Sequence, residues 1–344
     1  YDPMNILGAP LTLAPPIATF LARHGQSGAE LELLPGDASA RSYIRLVNVG
    51  NLLMEDRTDP AGFAAFIRLA RHLNSLGLSA PRVIGAEPAA GLALIEDFGT
   101  ATYGTLLNDG YNEAALYELA IDVLVHLHSA QNAISVTVPA YDTATLLEEI
   151  SIFSHWFVPG FAPEINVAKF DERFCEVWKK ALMPLEEAPK ALVLRDFHID
   201  NLMLLQDRAG VAACGLLDFQ DAVIGAAEYD LMSLLQDARR DLANGLEDAM
   251  LRRYLNAIPA FCGTEDAIMQ RYYLLAAQRH TRLVGLFPRL KLRDGKANYL
   301  KFMPRVLRQM QTALRMAKLS EICDFLDDTL RGWRDAAPAM SKLS

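Results

Sequence analysis

Leu192-Val-Leu-Arg-Asp-Phe-His-Ile-Asp-Asn201 and, seventeen residues beyond it, Asp218-Phe-Gln-Asp221 decide how this chain is read. The first stretch opens as a short apolar strand, Leu192 to Leu194, and passes into a polar loop at 195–201. Leu202-Met-Leu-Leu205, the turn Asp207-Arg-Ala-Gly210 and Val211 to Leu217 then predict a β-hairpin leading to Asp218. Phosphoryl transfer needs such a pattern. One Asp accepts the proton of an attacking hydroxyl, an Asn five positions on binds Mg²⁺, and a second Asp, returned by a hairpin, holds the metal that bridges the phosphates. The competing reading makes Asp196 and Asn201 turn-formers and Asp218 a strand-end cap.

Upstream, Leu31 to Leu34, Ser42 to Val47 and Leu52 to Met54 predict strands separated by the turns Pro35-Gly-Asp37 and Asn48-Val-Gly50. Phe63, Phe66, Ile67, Ala70 and Leu73 fall at helical spacing, and Gly77 ends that helix. Arg82 to Ile84 and Leu92 to Ile95 read as two more strands. Residues 1–97 thus describe a small mixed lobe, with a hinge at about 95–99. Beyond Gly99 helical stripes dominate, as at Leu116, Leu119, Val123 and Leu127, so 98–344 is expected to be a larger, mostly helical lobe. The fold class is α+β, two-lobed and protein-kinase-like.

Composition narrows the function. A length of 344 residues, 51% of them hydrophobic, is too great for one compact core and suits two lobes. No apolar run approaches the ~20 residues a membrane span needs, and no secretory signal is expected. Four cysteines without C-x-x-C spacing read as free thiols in a reducing compartment, so cytoplasm is expected. A net charge of −9 argues against nucleic acid as a partner. Yet Arg271 to Arg308 holds ten Lys or Arg against one acid, Asp294. That balance is too lopsided for a face solubilised by pairs of opposite sign. The segment is expected either beside the acceptor, with Arg279 and Arg293 as contacts, or paired with acids elsewhere in the chain.

Further motifs complete the pattern: Gly36-Asp-Ala-Ser-Ala-Arg-Ser-Tyr-Ile-Arg45, Ile95-Glu-Asp-Phe-Gly-Thr-Ala-Thr-Tyr103, Leu217-Asp-Phe-Gln-Asp-Ala-Val223, Tyr229-Asp-Leu-Met-Ser-Leu-Leu235, and Gln278-Arg-His280 with Gly285-Leu-Phe287 and Arg293-Asp-Gly-Lys296. With them the chain resembles the aminoglycoside phosphotransferase and choline kinase superfamily, and within it the anomeric sugar kinases of cell-wall recycling that act on N-acetylmuramate and N-acetylglucosamine. The resemblance implies ATP and Mg²⁺ as cofactors, Asp196 as catalytic base, Asn201 and Asp218 as metal ligands, and Glu96 to Phe98 as the hinge beneath adenine. It implies a small-molecule partner, an amino sugar; no obligate protein partner is evident in the sequence.

Two departures accompany it. Leu194 stands where the superfamily has a supporting His, and Met54 where protein kinases place a phosphate-binding Lys. Arg41 and Arg45 are the alternative cations, Arg45 being otherwise a solvated strand-face residue. The Gly36 to Ser39 turn could offer its N–H groups or the Ser39 hydroxyl to phosphates, or be a plain hairpin turn. His198 and Asp221 are expected near the acceptor, Asp221 otherwise serving as a cap. Asp230 reads as an N-cap or as a brace for the Asp196 loop. An aminoglycoside or choline-type kinase and a catalytically weak nucleotide-binding scaffold are the alternatives. The first would call for clustered carboxylates or an aromatic cage. The second has no need for Asp196, Asn201 and Asp218 together.

Overall fold

A computed structural model describes residues 14–35 and 41–343. The chain forms two compact units, one of the described residues up to Asp109 together with Leu202–Asp221, the other of Gly110–Asn201 together with Ala222 onward.

The first unit is built on five antiparallel strands in the order β1-β2-β3-β5-β4: β1 Glu30–Leu33, β2 Ser42–Val47, β3 Asn51–Glu55, β4 Val83–Glu87 and β5 Leu92–Glu96. Period-2 alternation sorts their faces. Ile44, Leu46, Leu53, Leu92 and Leu94 pack on Ile17, Phe20 and Leu21 of the Pro15–Arg23 helix. Arg45, between Ile44 and Leu46, is therefore turned to the other face. The Pro60–Ser75 helix begins where Asp59 accepts the Gly62 N–H and Pro60 presets the first turn. Its buried stripe includes Phe63, Phe66, Ile67, Ala70 and Leu73.

The expected hairpin is present as β7 Leu202–Leu204 and β8 Cys214–Leu216, with a 3₁₀ turn at Gly210–Ala213 between them. The sequence places the break between lobes after residue 97, whereas this hairpin belongs with the sheet unit. Leu216 N–H bonds Ser79 O, Leu204 N–H bonds Ala101 O, and the Ser79 hydroxyl bonds Ala212 O. Gly215 is needed for the Phe98 ring to pack there, since a Cβ would stand 2.8 Å from it.

In the second unit β6 Lys190–Val193 pairs with β9 Val223–Ala226, a strand the sequence reading did not anticipate. The rest is helical. Thr143–Ile152 runs into a π-helical turn at Phe153–Phe157, where Phe153 stacks on Phe157 and packs beside Phe170 and Phe174. Against that turn lies the long Glu265–Asp294 helix, capped by Thr264 and closed by left-handed Gly295. Gly285 permits the approach. A Cβ there would lie 2.5 Å from Ile152 C, Ile152 O and Phe153 Cα, all backbone atoms that cannot swing aside. Gly285→Ala is therefore expected to lower stability by about 1–3 kcal/mol, read as a drop in the urea midpoint. An unchanged midpoint would show that the two helices separate freely. No helix among the described residues is long and apolar enough to cross a membrane.

Candidate active site

The Asp196 loop follows β6, and its backbone is pinned from two directions. Asp230, fully buried in the Glu228–Leu235 helix, accepts the Leu194 N–H at 2.6 Å and the Arg195 N–H at 2.9 Å. It is thus a brace and not that helix's N-cap, which is Ala227. Burial pushes the Asp230 carboxyl up to about 7, and nearby Asp196 adds to this, while the two N–H bonds pull the other way.

Arg195 has φ 69°, a left-handed conformation costly for a side chain with a Cβ. Surrounding contacts hold it there. Its guanidinium donates to Glu149 at 2.6 Å and lies 5.2 Å from the Tyr141 ring centroid, and its carbonyl accepts the Ser233 hydroxyl at 3.3 Å. Glu149 also accepts the Tyr141 hydroxyl at 2.6 Å and pairs with Arg282 at 3.7 Å.

Within the loop, Asp196 O accepts the Asn201 side-chain N–H at 3.0 Å and the His198 backbone N–H at 3.1 Å. That bond uses the nitrogen end of the Asn201 amide, so its carbonyl oxygen is the hard donor it has for a cation. Leu194, in place of the supporting His, is 3% exposed and acts as a core residue.

Asp196 and His198 border a cavity of about 210 Å³. Arg279, Arg282, Leu283, Leu286, Phe287 and Leu290 line it from one face of the Glu265–Asp294 helix, recurring every three or four residues. Arg239, Tyr299 and Phe302 complete the charged and aromatic wall. Most of these cations are compensated: Arg282 by Glu149, Arg239 by Asp237 at 3.5 Å. Arg279 differs. It is 7% exposed, and its Nε and Nη1 have no hydrogen-bond partner.

Arg293, expected beside the acceptor, is not among the cavity residues. Its side chain is half exposed and pairs with its neighbour Asp294 at 2.7 Å. Two further cations of the basic segment pair with distant acids instead, Arg271 with Glu228 at 2.5 Å and Arg305 with Asp241 at 2.8 Å.

The sheet unit carries the other expected residues. Asp218 has φ 57° and an exposed side chain, and one of its oxygens accepts the Gln220 amide at 2.7 Å. Asp221 is exposed, and Ser39 lies outside the described residues. Glu96 is held by Arg208 and by Arg82 at 3.1 Å. The Arg208 guanidinium lies 5.2 Å from the Phe98 ring centroid. Arg45 donates to Asp97 at 2.5 Å and to Gly99 O at 3.4 Å, which ties β2 to the segment expected to act as hinge. Met54 is fully buried, so a lysine there would bury an ammonium group, at a cost.

Residues 30–267 match the family model described as "Phosphotransferase enzyme family". The chain belongs to that family. A relative from Caulobacter vibrioides, named N-acetylmuramate/N-acetylglucosamine kinase, is 34% identical over 90% of this chain and 94% of its own length. Another of that name, from Pseudomonas aeruginosa, is 32% identical over 88% and 89%. Among solved structures, a choline/ethanolamine kinase family protein from Mesorhizobium loti aligns with a TM-score of 0.60 at 14% identity, covering 90% of this chain and 97% of its own. The ADP-bound aminoglycoside phosphotransferase APH(2″)-Ib gives 0.59 at 17%, covering 89% and 99%. The fold is therefore kinase-like, and this phosphotransferase acts on a hydroxyl.

Proposed function

We propose that this phosphotransferase moves the γ-phosphoryl group of ATP to the anomeric hydroxyl of an N-acetylated amino sugar, N-acetylmuramate or N-acetylglucosamine. One observation carries the acceptor reading: Asp196 borders a small cavity whose other charged side chains, among the described residues, are arginines. At about 210 Å³ it lies below the usual range for drug-sized ligands and favours one sugar ring over several. Two of those arginines are paired with acids, so what disfavours a polycationic aminoglycoside there is Arg279. The names of the Caulobacter and Pseudomonas relatives supply the sugar.

Asp196 accepts the acceptor's proton. His198 and Arg279 contact the sugar, with Asp221 a further contact, whereas Arg293, off the cavity and paired with Asp294, is assigned none. In the sheet unit Glu96 and Phe98 serve the base, and Ser39, Arg41 and Arg45 the phosphates. Asn201 and Asp218 would hold Mg²⁺. No group of three or more His, Cys, Asp or Glu suited to a metal occurs among the described residues. A carboxylate plus an amide oxygen fits magnesium, which takes one or two protein carboxylates and completes its shell from phosphates and water. When bound, the ion neutralises charge on the transferring group.

ATP consumption measured across N-acetylated sugars, aminoglycosides and choline tests the proposal. Turnover should require N-acetylmuramate or N-acetylglucosamine, and turnover with kanamycin or choline alone would overturn it.

Arg279 gives a finer prediction. Its buried, unpartnered N–H groups suit the N-acetylmuramate carboxylate, and a charge-assisted hydrogen bond is worth about 1.5–3 kcal/mol. Arg279→Met should raise KM for N-acetylmuramate roughly 10- to 100-fold and leave that for N-acetylglucosamine within a few-fold. Equal effects on both sugars would remove Arg279 from carboxylate recognition.

A further inference from the structure

We propose that Gln220 is the positioning residue that sets the Asp218 carboxylate, and that Arg41 holds Gln220 in the one orientation that can do so. The inference rests on reading Asp218 as a metal ligand. Arg41 Nη1 donates to Gln220 Oε1 at 3.2 Å, and Gln220 Nε2 donates to Asp218 Oδ1 at 2.7 Å. A guanidinium can only donate and a carboxylate only accept, so the amide has no choice of direction. Its oxygen must face Arg41 and its NH₂ must face Asp218.

Arg41 is itself fixed. Its Nε donates to Asp56 at 3.2 Å, and the two side chains are 9% and 4% exposed. Asp56 also accepts the N–H groups of Thr58 and Asp59 and the Thr58 hydroxyl. Burial acts to raise the Asp56 carboxyl, but the Asp59 N–H and Arg41 outweigh it and hold the group below its ordinary value. Arg41 and Asp56 are therefore an ionised, mutually neutralised pair. What passes along Arg41–Gln220–Asp218 is direction and not net charge.

A second anchor acts on the same loop. The Arg41 guanidinium lies 5.7 Å from the Phe66 ring centroid, and Phe66 stacks on Phe219 at 5.2 Å. Both residues after Asp218 are thus tied to the sheet unit, while Asp218 itself holds a left-handed backbone that needs such support. Of the two arginines weighed for the missing lysine, Arg41 is the one joined to the Asp218 loop, whereas Arg45 is joined to Asp97 and Gly99. Outer-shell partners that orient a metal's ligands commonly change affinity 10- to 100-fold when removed.

The test titrates Mn²⁺ into the full chain in saturating ADP, following water-proton relaxation, with melting temperature recorded in parallel. Gln220→Met keeps the side-chain length and removes the amide. It should weaken Mn²⁺ about 10- to 100-fold while melting close to wild type. Arg41→Met should weaken Mn²⁺ to a similar degree but melt lower, because it leaves the buried Asp56 carboxylate without its cation, and the double variant should bind Mn²⁺ no worse than the weaker single one. Gln220→Ala serves if the methionine variant misfolds. Mn²⁺ affinity within twofold of wild type in a folded Gln220 variant, with Asp218→Ala abolishing binding, would overturn the relay alone. Unchanged affinity in Asp218→Ala would instead overturn the metal-ligand reading, and the relay with it.

Discussion

Asp196→Asn is expected to lower kcat by about 10²–10⁴-fold, the usual worth of a positioned general base, while nucleotide affinity stays within a few-fold. The substitution preserves shape. Three bonds that fold the loop around this residue use its main chain: its oxygen accepts the Asn201 side chain and the His198 N–H, and its N–H donates to Leu194 O, and none of these three depends on the carboxylate. A loss of turnover at an unchanged urea midpoint would report chemistry and not a collapsed loop. Steady-state rates with saturating sugar, alongside ADP titration, decide it. A kcat within tenfold of wild type would remove Asp196 from proton transfer.

Asp230→Ala should act through structure. It strips acceptors from two N–H groups, one of them on Leu194, which is 3% exposed and out of reach of water. An unsatisfied buried donor costs about 1–3 kcal/mol, so the pair should lower stability by roughly 2–6 kcal/mol. It should also release Arg195 from its left-handed conformation and disturb Asp196 next to it. Urea unfolding and kcat should fall together. Asp230→Asn should lose about half as much stability, because its amide oxygen still accepts one N–H while its NH₂ faces the other. If the alanine variant unfolds within 1 kcal/mol of wild type, the loop finds other acceptors and the brace is dispensable.

The parts legible in the sequence were those written in local spacing. The Asp196 loop, the hairpin and the Asp218 turn lie within thirty residues of one another, and period-2 strands with Gly turns mark the sheet. Partners joined only by the fold were not legible. Glu149 is 46 residues from Arg195 and carries no local pattern to announce it. Gln220 read as one letter of a motif, because its meaning depends on Arg41, 179 residues away. Charge counting placed Arg271 to Arg308 as a group. It could not say that Arg271 and Arg305 would pair with distant acids while two Arg279 nitrogens would be left without a hydrogen-bond partner. Nor does hydrophobic periodicity reveal a π-helical turn such as Phe153–Phe157, where one extra residue shifts the phase of the stripe.

The chain leaves the sheet unit at Asp109, returns to it at Leu202 and leaves again at Asp221. This routing matters on the ribosome. When residue 109 emerges, Ser79 O, Ala101 O, Glu96 and the Phe66 ring still lack the hairpin-derived partners they have in the folded protein. At ordinary synthesis rates those partners arrive roughly ten seconds later. The nascent N-terminal portion must wait, with apolar and polar surface uncovered, until the Asp218 loop has been made. A gene fragment encoding only that portion would carry the same open seams permanently, so excising it as a free-standing nucleotide-binding module should give a sticky, poorly folded product. Completion of the sheet unit and arrival of Asp218 are in this sense one folding event.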